Sequence, residues 1–282
     1  MRDIGYCVRA VRDDGLTFTY ENDDWMMTSL EGAEFPQIEL FTEAKGIGNG
    51  DLVTGKRKGA RVIEVATVPR HYNDGNYRIL RQKALFFHNP SHTFHLEIVY
   101  MGDIKIAKEC EIKAFTFPTE RYRKNAALKL SYLSPHSELF AAGDEQTNLS
   151  IITARWAVVR AYTGSNKLLY STEDRADSIV IDYQGSAKTS PIIKITADGY
   201  VKDLIIKIGD VTCNLNTTLK SGDVVVIDGS KAYATQNGTM VRSVEDFRKL
   251  KLIPGANLIS ITSNSGNAFK SKITYTGRYE GI

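Results

Sequence analysis

The residues that come nearest to chemistry in this chain are Gly50-Asp51-Leu52-Val53-Thr54-Gly55-Lys56, which spell the G-x-x-x-x-G-K of a phosphate-binding loop. Such a loop needs Ser or Thr next, to hold Mg²⁺, and then a helix whose first amides face the phosphate. Here Arg57 follows, and Val62-Ile63-Glu64-Val65-Ala66-Thr67-Val68 is β-branched and reads as a strand. No nucleotide site is expected. What remains is a long glycine-dense arm between two strands. Gly46, Gly48, Gly50, Gly55 and Gly59 fall within sixteen residues, and Lys56, Arg57, Lys58 and Arg61 are expected to form its basic tip.

The other chemical constellations are weaker. His88, His92 and His95 form H-x₃-H-x₂-H, but they straddle a helix end, a proline and a strand, where His92 and His95 point to opposite faces. They are not expected to converge on a metal. The acidic pairs Asp13-Asp14, Asp23-Asp24 and Glu173-Asp174 read as turn residues rather than as the paired carboxylates of a glycoside hydrolase. No Gly-x-Ser-x-Gly elbow occurs. No catalytic, cofactor-binding or metal-ligating residue is assigned, and the chain is not expected to be an enzyme.

Sugar recognition relies on an aromatic face against the ring. From Asp177 onward the chain has neither Trp nor His, leaving Tyr183, Tyr200, Tyr233, Tyr275 and Tyr279 as candidate platforms. Trp156, inside an apolar run, is assigned to a core. A carbohydrate-binding adhesion module of a virion or cell surface is the alternative reading.

The elements that position these residues are mostly strands. With 282 residues, 42% hydrophobic and 24% charged, the chain suits about two soluble globular domains. The net charge is +3, yet nine basic residues face three acidic ones between Lys45 and Lys83. That basic window lacks the interleaved aromatics of a nucleic-acid platform. Cys7, Cys110 and Cys213 form no C-x-x-C pair, which fits a reducing compartment and no zinc knuckle. No signal peptide and no membrane-spanning run are read in the sequence.

Gly15–Tyr20, Gln37–Thr42 and Val62–Val68 read as strands, the last two flanking the arm. Tyr77, Leu80, Ala84 and Phe87 recur at helical spacing, with Arg78, Arg81, Gln82 and Lys83 on the remaining surface. Asp74 or Asn76 caps this helix and Asn89-Pro90 stops it. The aperiodic run Ala141–Gln146 marks a boundary, expected between residues 1–138 and 139–282. Beyond it, short strands separated by turn signals predict a β-sandwich or jelly roll.

Tyr183-Gln184-Gly185-Ser186-Ala187-Lys188-Thr189-Ser190-Pro191 resembles the Asn-x-Gly-x-x-x-Thr-x-Pro opening of the second domain of siphophage distal tail (Dit) proteins, with Gln184 near the usual Asn. Gly222-Asp223 through Ile227-Asp228, Asn237-Gly238 and Pro254-Gly255-Ala256-Asn257 through Ile261 resemble the motifs that follow there, in order. The arm, the single helix and the closing Leu130-Ser131-Tyr132-Leu133-Ser134-Pro135 are similar to the belt domain of that family, which more usually has Cys and Asp before Pro. The resemblance covers essentially the whole chain.

It implies a mainly β protein. The belt is a split-barrel or sandwich with one helix and a long hairpin arm, and the C-terminal part is a galectin-like β-sandwich projecting outward. It further implies a homo-hexameric ring at the tip of a phage or prophage tail, assembled in the host bacterial cytoplasm. The expected partners are the tail tube protein, a tail-tip or tail-associated protein and receptor-binding proteins, with DNA only in transit and no membrane insertion. On that reading Gly46, Gly48, Gly50, Lys56, Arg57, Lys58, Arg61, Arg78, Arg81 and Lys83 belong to the ring interface or lumen.

Overall fold

The computed structural model describes residues 6–46, 48–70, 74–118, 127–154, 171–175, 178–243, 245–265 and 268–282. Two compact units emerge: residues 1–142 with 278–282, and residues 143–277.

The first unit contains β1 (Tyr6–Arg12), β2 (Thr17–Thr19), β3 (Trp25–Glu31), β4 (Ile38–Ala44), β5 (Asp51–Lys58), β6 (Arg61–Pro69), α1 (Asp74–Phe87), β7 (Phe94–Tyr100), β8 (Asp103–Thr116) and β9 (Leu128–Ser134). β10 (Leu139–Asn148) carries the chain out of this unit. All pairings are antiparallel: β2, β1, β7 and β8 pair in that order, and β3, β6, β9 and β8 form a second run. Their shared strand β8 bends one run into the other, and the register shifts in β8 where they meet. A register shift of this kind increases bend and twist.

Alternation builds the core of this unit. Phe94, Leu96 and Ile98 of β7 point inward, as do Leu128, Leu130 and Tyr132 of β9. α1 lays Leu80, Ala84 and Phe87 into the same cluster, the face its 3.6-residue period predicts. β1 and β3 carry no strand expectation from the sequence. In β3 a register shift between Met27 and Ser29 breaks the two-residue period that would reveal it.

The second unit holds β11 (Ser150–Ala154), β12 (Ser171–Arg175), β13 (Ser178–Tyr183), β14 (Ile192–Ala197), β15 (Val201–Ile208), β16 (Val211–Leu219), β17 (Val224–Asp228), β18 (Tyr233–Gln236), β19 (Thr239–Ser243), a 3₁₀ turn (Glu245–Lys249), β20 (Gly255–Ser263) and β21 (Phe269–Tyr279). β13, β20, β15 and β16 form one antiparallel sheet, and β19, β18, β17, β14 and β21 another. One cluster of buried residues, including Ile193, Ile206, Leu215, Ile227, Ile261 and Ile273, draws on both sheets, so this unit is a β-sandwich. Asn237-Gly238 joins β18 to β19 with both residues at positive φ, 50° and 81°, the conformation of a tight type I′ hairpin that Asn-Gly favours.

One sequence expectation is corrected here, for Glu173 and Asp174, and two further strands, β10 and β16, go unannounced in the sequence. Ala141–Gln146, the aperiodic run read as marking a boundary, lies within β10; only Leu139 and Phe140 of that strand are buried, so no apolar period marks it. Glu173 and Asp174 lie in β12 rather than in a turn. The strand β16 carries no expectation from the sequence; two of its outward residues, Asn214 and Asn216, are of a type depleted in strands. Trp156 lies outside the described residues.

Candidate functional site

The arm is a two-stranded sheet of its own. β4 pairs only with β5 among the described strands, from Ile38 opposite Lys58 to Ala44 opposite Asp51, with a register shift between Phe41 and Thr42. Ile38, Leu40, Phe41, Leu52 and Val53 are 51–60% exposed. A lone two-stranded hairpin is marginal in water, and clustered exposed apolar side chains mark a surface that meets another.

The first strand ends at Ala44 and the second begins at Asp51, so Gly46, Gly48 and Gly50 fall between the two strands. The expected basic tip is therefore corrected: Ala44 already pairs with Asp51, so Lys56, Arg57 and Lys58 lie on the returning strand, well away from the turn. Lys56 faces Leu40 across the arm and Arg57 faces Glu39. Lys58 forms an ion pair with Glu280.

Arg61 is corrected further. It opens β6 and is 1% exposed. Its Nε and Nη2 donate to the Ser137 carbonyl at 3.0 and 2.8 Å, its Nη1 to Gly32 at 2.8 Å, and its Nη2 also to the Glu280 carbonyl. Burial lowers its pKa from the usual arginine value, opposed by Glu280 and Glu138. The fork of donors lets one guanidinium gather carbonyls from three segments. Arg61 thus ties the arm's root to the returning tail, and Ile282 adds a backbone bond to the Ala33 carbonyl at 3.2 Å.

On α1, Arg78 and Lys83 are exposed. Arg81 instead turns back on its own unit, donating to the Phe117 carbonyl at 2.8 Å and lying 5.3 Å from the Phe117 ring centroid. Sequence reasoning missed the apolar part of the helix's outer surface. Ile79 and Phe86 are 52% and 68% exposed; seven apart, they share a face.

The histidines are dispersed in role. His88 is buried, its Nδ1 2.8 Å from the Ala84 carbonyl and its Nε2 2.8 Å from the Tyr20 hydroxyl, which in turn lies 2.6 Å from the Tyr132 hydroxyl. With Nδ1 donating to the carbonyl, Nε2 accepts from Tyr20, and Tyr20 accepts from Tyr132. His92 instead pairs with Asp13 at 2.7 Å. Asp14 binds the Arg12 guanidinium and the Leu16 amide, and the bond from Arg12 holds its carboxyl down to about 2.

Of the candidate sugar platforms, Tyr183 and Tyr275 are core residues, 1% and 4% exposed, whereas Tyr200 is 59% exposed. Tyr279 lies under the Lys105 ammonium, 3.3 Å from its ring centroid. One carboxylate pair that the sequence does not single out is Glu31 directly opposite Glu64. It lines a groove of about 210 Å³ with Lys129 and Ser131, below the roughly 300–1,000 Å³ of small-molecule sites, and no aromatic ring lines it.

Comparison with known proteins places these features in context. The solved structure of Dit from phage SPP1, described as a paradigm of hub adsorption apparatus in phages infecting Gram-positive bacteria, has a similar fold. It is 12% identical, with 96% of this chain and 98% of that one covered and a TM-score of 0.64. A chain of the phage P2 baseplate, solved in its activated conformation with Ca, is 11% identical over 95% of this chain and 97% of that one, with a TM-score of 0.43. No curated protein sequence matches. Residues 184–279, about a third of the chain, match the family described as siphovirus-type tail component, C-terminal domain.

Proposed function

We propose that this protein is a non-enzymatic structural hub of a phage or prophage tail. Copies close into a homo-hexameric ring that joins the tail tube to the tail-tip and receptor-binding proteins at the distal end of the virion, leaving a channel through which DNA passes. The residues of the first unit build the ring as a belt, and the second unit is a galectin-like sandwich that docks neighbouring tail proteins.

The observation that carries this reading is the arm. Its apolar side chains stand in solvent on both strands, and a second copy offers a repeating surface for them; heterologous contacts repeated around an axis close into rings. Arg78, Lys83, Ile79 and Phe86 on the outer surface of α1 are assigned to ring contacts or the lumen. Arg61 and Arg81 hold the fold of the subunit instead.

Deleting residues 48–59 tests the assignment. The deletion is expected to abolish rings in electron micrographs while the second unit keeps its cooperative unfolding transition. Rings that persist without the arm would contradict the role given to it. The alternative, a glycan-binding module, predicts glycan-array binding that is lost on Tyr200→Ala; the hub reading predicts no such binding.

A further inference from the structure

At the root of the arm lies a hollow of about 430 Å³, lined by Leu30, Glu31, Ala33, Glu34, Tyr100 and Ile282. Tyr100 and Ile282 remain 42% and 40% exposed, and their chain neighbourhood adds Phe35 and Met101, 72% and 79% exposed. The hollow is therefore lined by apolar side chains together with two glutamates. Among the described residues no ion pair engages Glu31 or Glu34 within the chain. An exposed apolar patch bordered by unpaired carboxylates favours a partner that is itself apolar and basic.

The arm has that composition. On one of its faces Ile38 stands opposite Lys58 and Leu40 opposite Lys56, so an apolar residue and a lysine repeat as cross-strand pairs. The inner pair is already engaged, because Lys58 meets Glu280 of the same chain. The outer pair is free: Leu40 is 60% exposed and Lys56 has no acidic partner among the described residues. Leu40 and the aliphatic stem of Lys56 offer the hollow an apolar surface, and the ammonium offers its two glutamates an opposite charge.

We infer that the hollow at the arm's root receives the Leu40–Lys56 pair of a second copy's arm. This rests on the ring reading and names the acceptor surface within it. Donor and acceptor are different surfaces of one chain, so the contact runs head to tail and can repeat until the ring closes.

Complementary charge reversal tests it on the full chain. Lys56→Glu gives a copy whose arm and hollow are both acidic; Glu31→Lys with Glu34→Lys gives a copy in which both are basic. Each variant alone is expected to need at least about tenfold more protein to assemble, the equivalent of about 1.4 kcal/mol. Their equimolar mixture is expected to assemble like the wild type, because every contact in an alternating ring is then acid against base. Circular dichroism checks that each variant is folded. Wild-type rings with either variant assembling normally, or with no rescue in the mixture, would overturn the acceptor assignment alone. A wild type that forms no ring with its tail partners present would overturn the ring reading and this inference together.

Discussion

Gly281 sits so close to the backbone of Glu34 that a β-carbon added to it would lie 1.7 Å from the Glu34 carbonyl oxygen. The tail that returns at residues 278–282 is thus laid against the segment leading into β4. Any side chain at 281 must displace backbone rather than a yielding side-chain tip. Gly281→Val is expected to destabilise the first unit by about 1–3 kcal/mol, the usual cost of overpacking. Thermal unfolding measures it, and an unchanged melting temperature would count against this close approach.

Arg61→Met keeps much of the buried volume but removes every donor to the carbonyls of Gly32, Ser137 and Glu280. Buried acceptors left without partners cost about 1–3 kcal/mol each, so a loss of roughly 3 kcal/mol or more is expected. Arg61→Lys should recover only part of it, since a single ammonium lacks the planar fork. Hydrogen exchange is expected to rise in residues 31–37 and 278–282 first. A variant as stable as the wild type would show that the carbonyls find other donors.

His88 gives the first unit an acid sensitivity. Burial pushes its pKa from the ordinary 6.5 down to about 4, against the opposing pull of the Ala84 carbonyl. The unfolded chain therefore binds the proton more readily between these values. The contribution is present in full above pH 6.5, falls as the pH drops, and is exhausted below about pH 4; its size is about 3 kcal/mol. Tyr20, Tyr132 and Cys110, which surround this network, all have their pKa values raised by burial and stay neutral throughout that window. Asp14, held at about 2, stays charged. Denaturant unfolding between pH 7.5 and 4 should show a clearly shallower pH slope in His88→Gln than in the wild type, and equal slopes would contradict this assignment.

Much of the fold was legible where alternation is clean. β9, β13 and β14 place apolar residues on one face without interruption, and α1 announces itself through Leu80, Ala84 and Phe87. β3 and β16 were hidden for physical reasons, a register shift in the first and the two asparagines, Asn214 and Asn216, on the outer face of the second. The arm was visible from its glycines, but its charge was misplaced, since sequence does not state where a hairpin closes. Arg61 looked like one of four basic neighbours. Only its pairing partners at residues 32, 137 and 280, remote in sequence, distinguish it as a buried anchor. The hollow assembled from Leu30, Tyr100 and Ile282 has no local signature at all.

Mass in solution tests the proposed ring-forming tail hub most directly. Sedimentation of the full-length protein, alone and with the tail tube and tail-tip proteins of the same phage, is expected to reveal a species holding six copies of the 31.4 kDa chain, about 190 kDa before partners are added. A protein that stays a single chain at every concentration and joins neither partner would contradict the account.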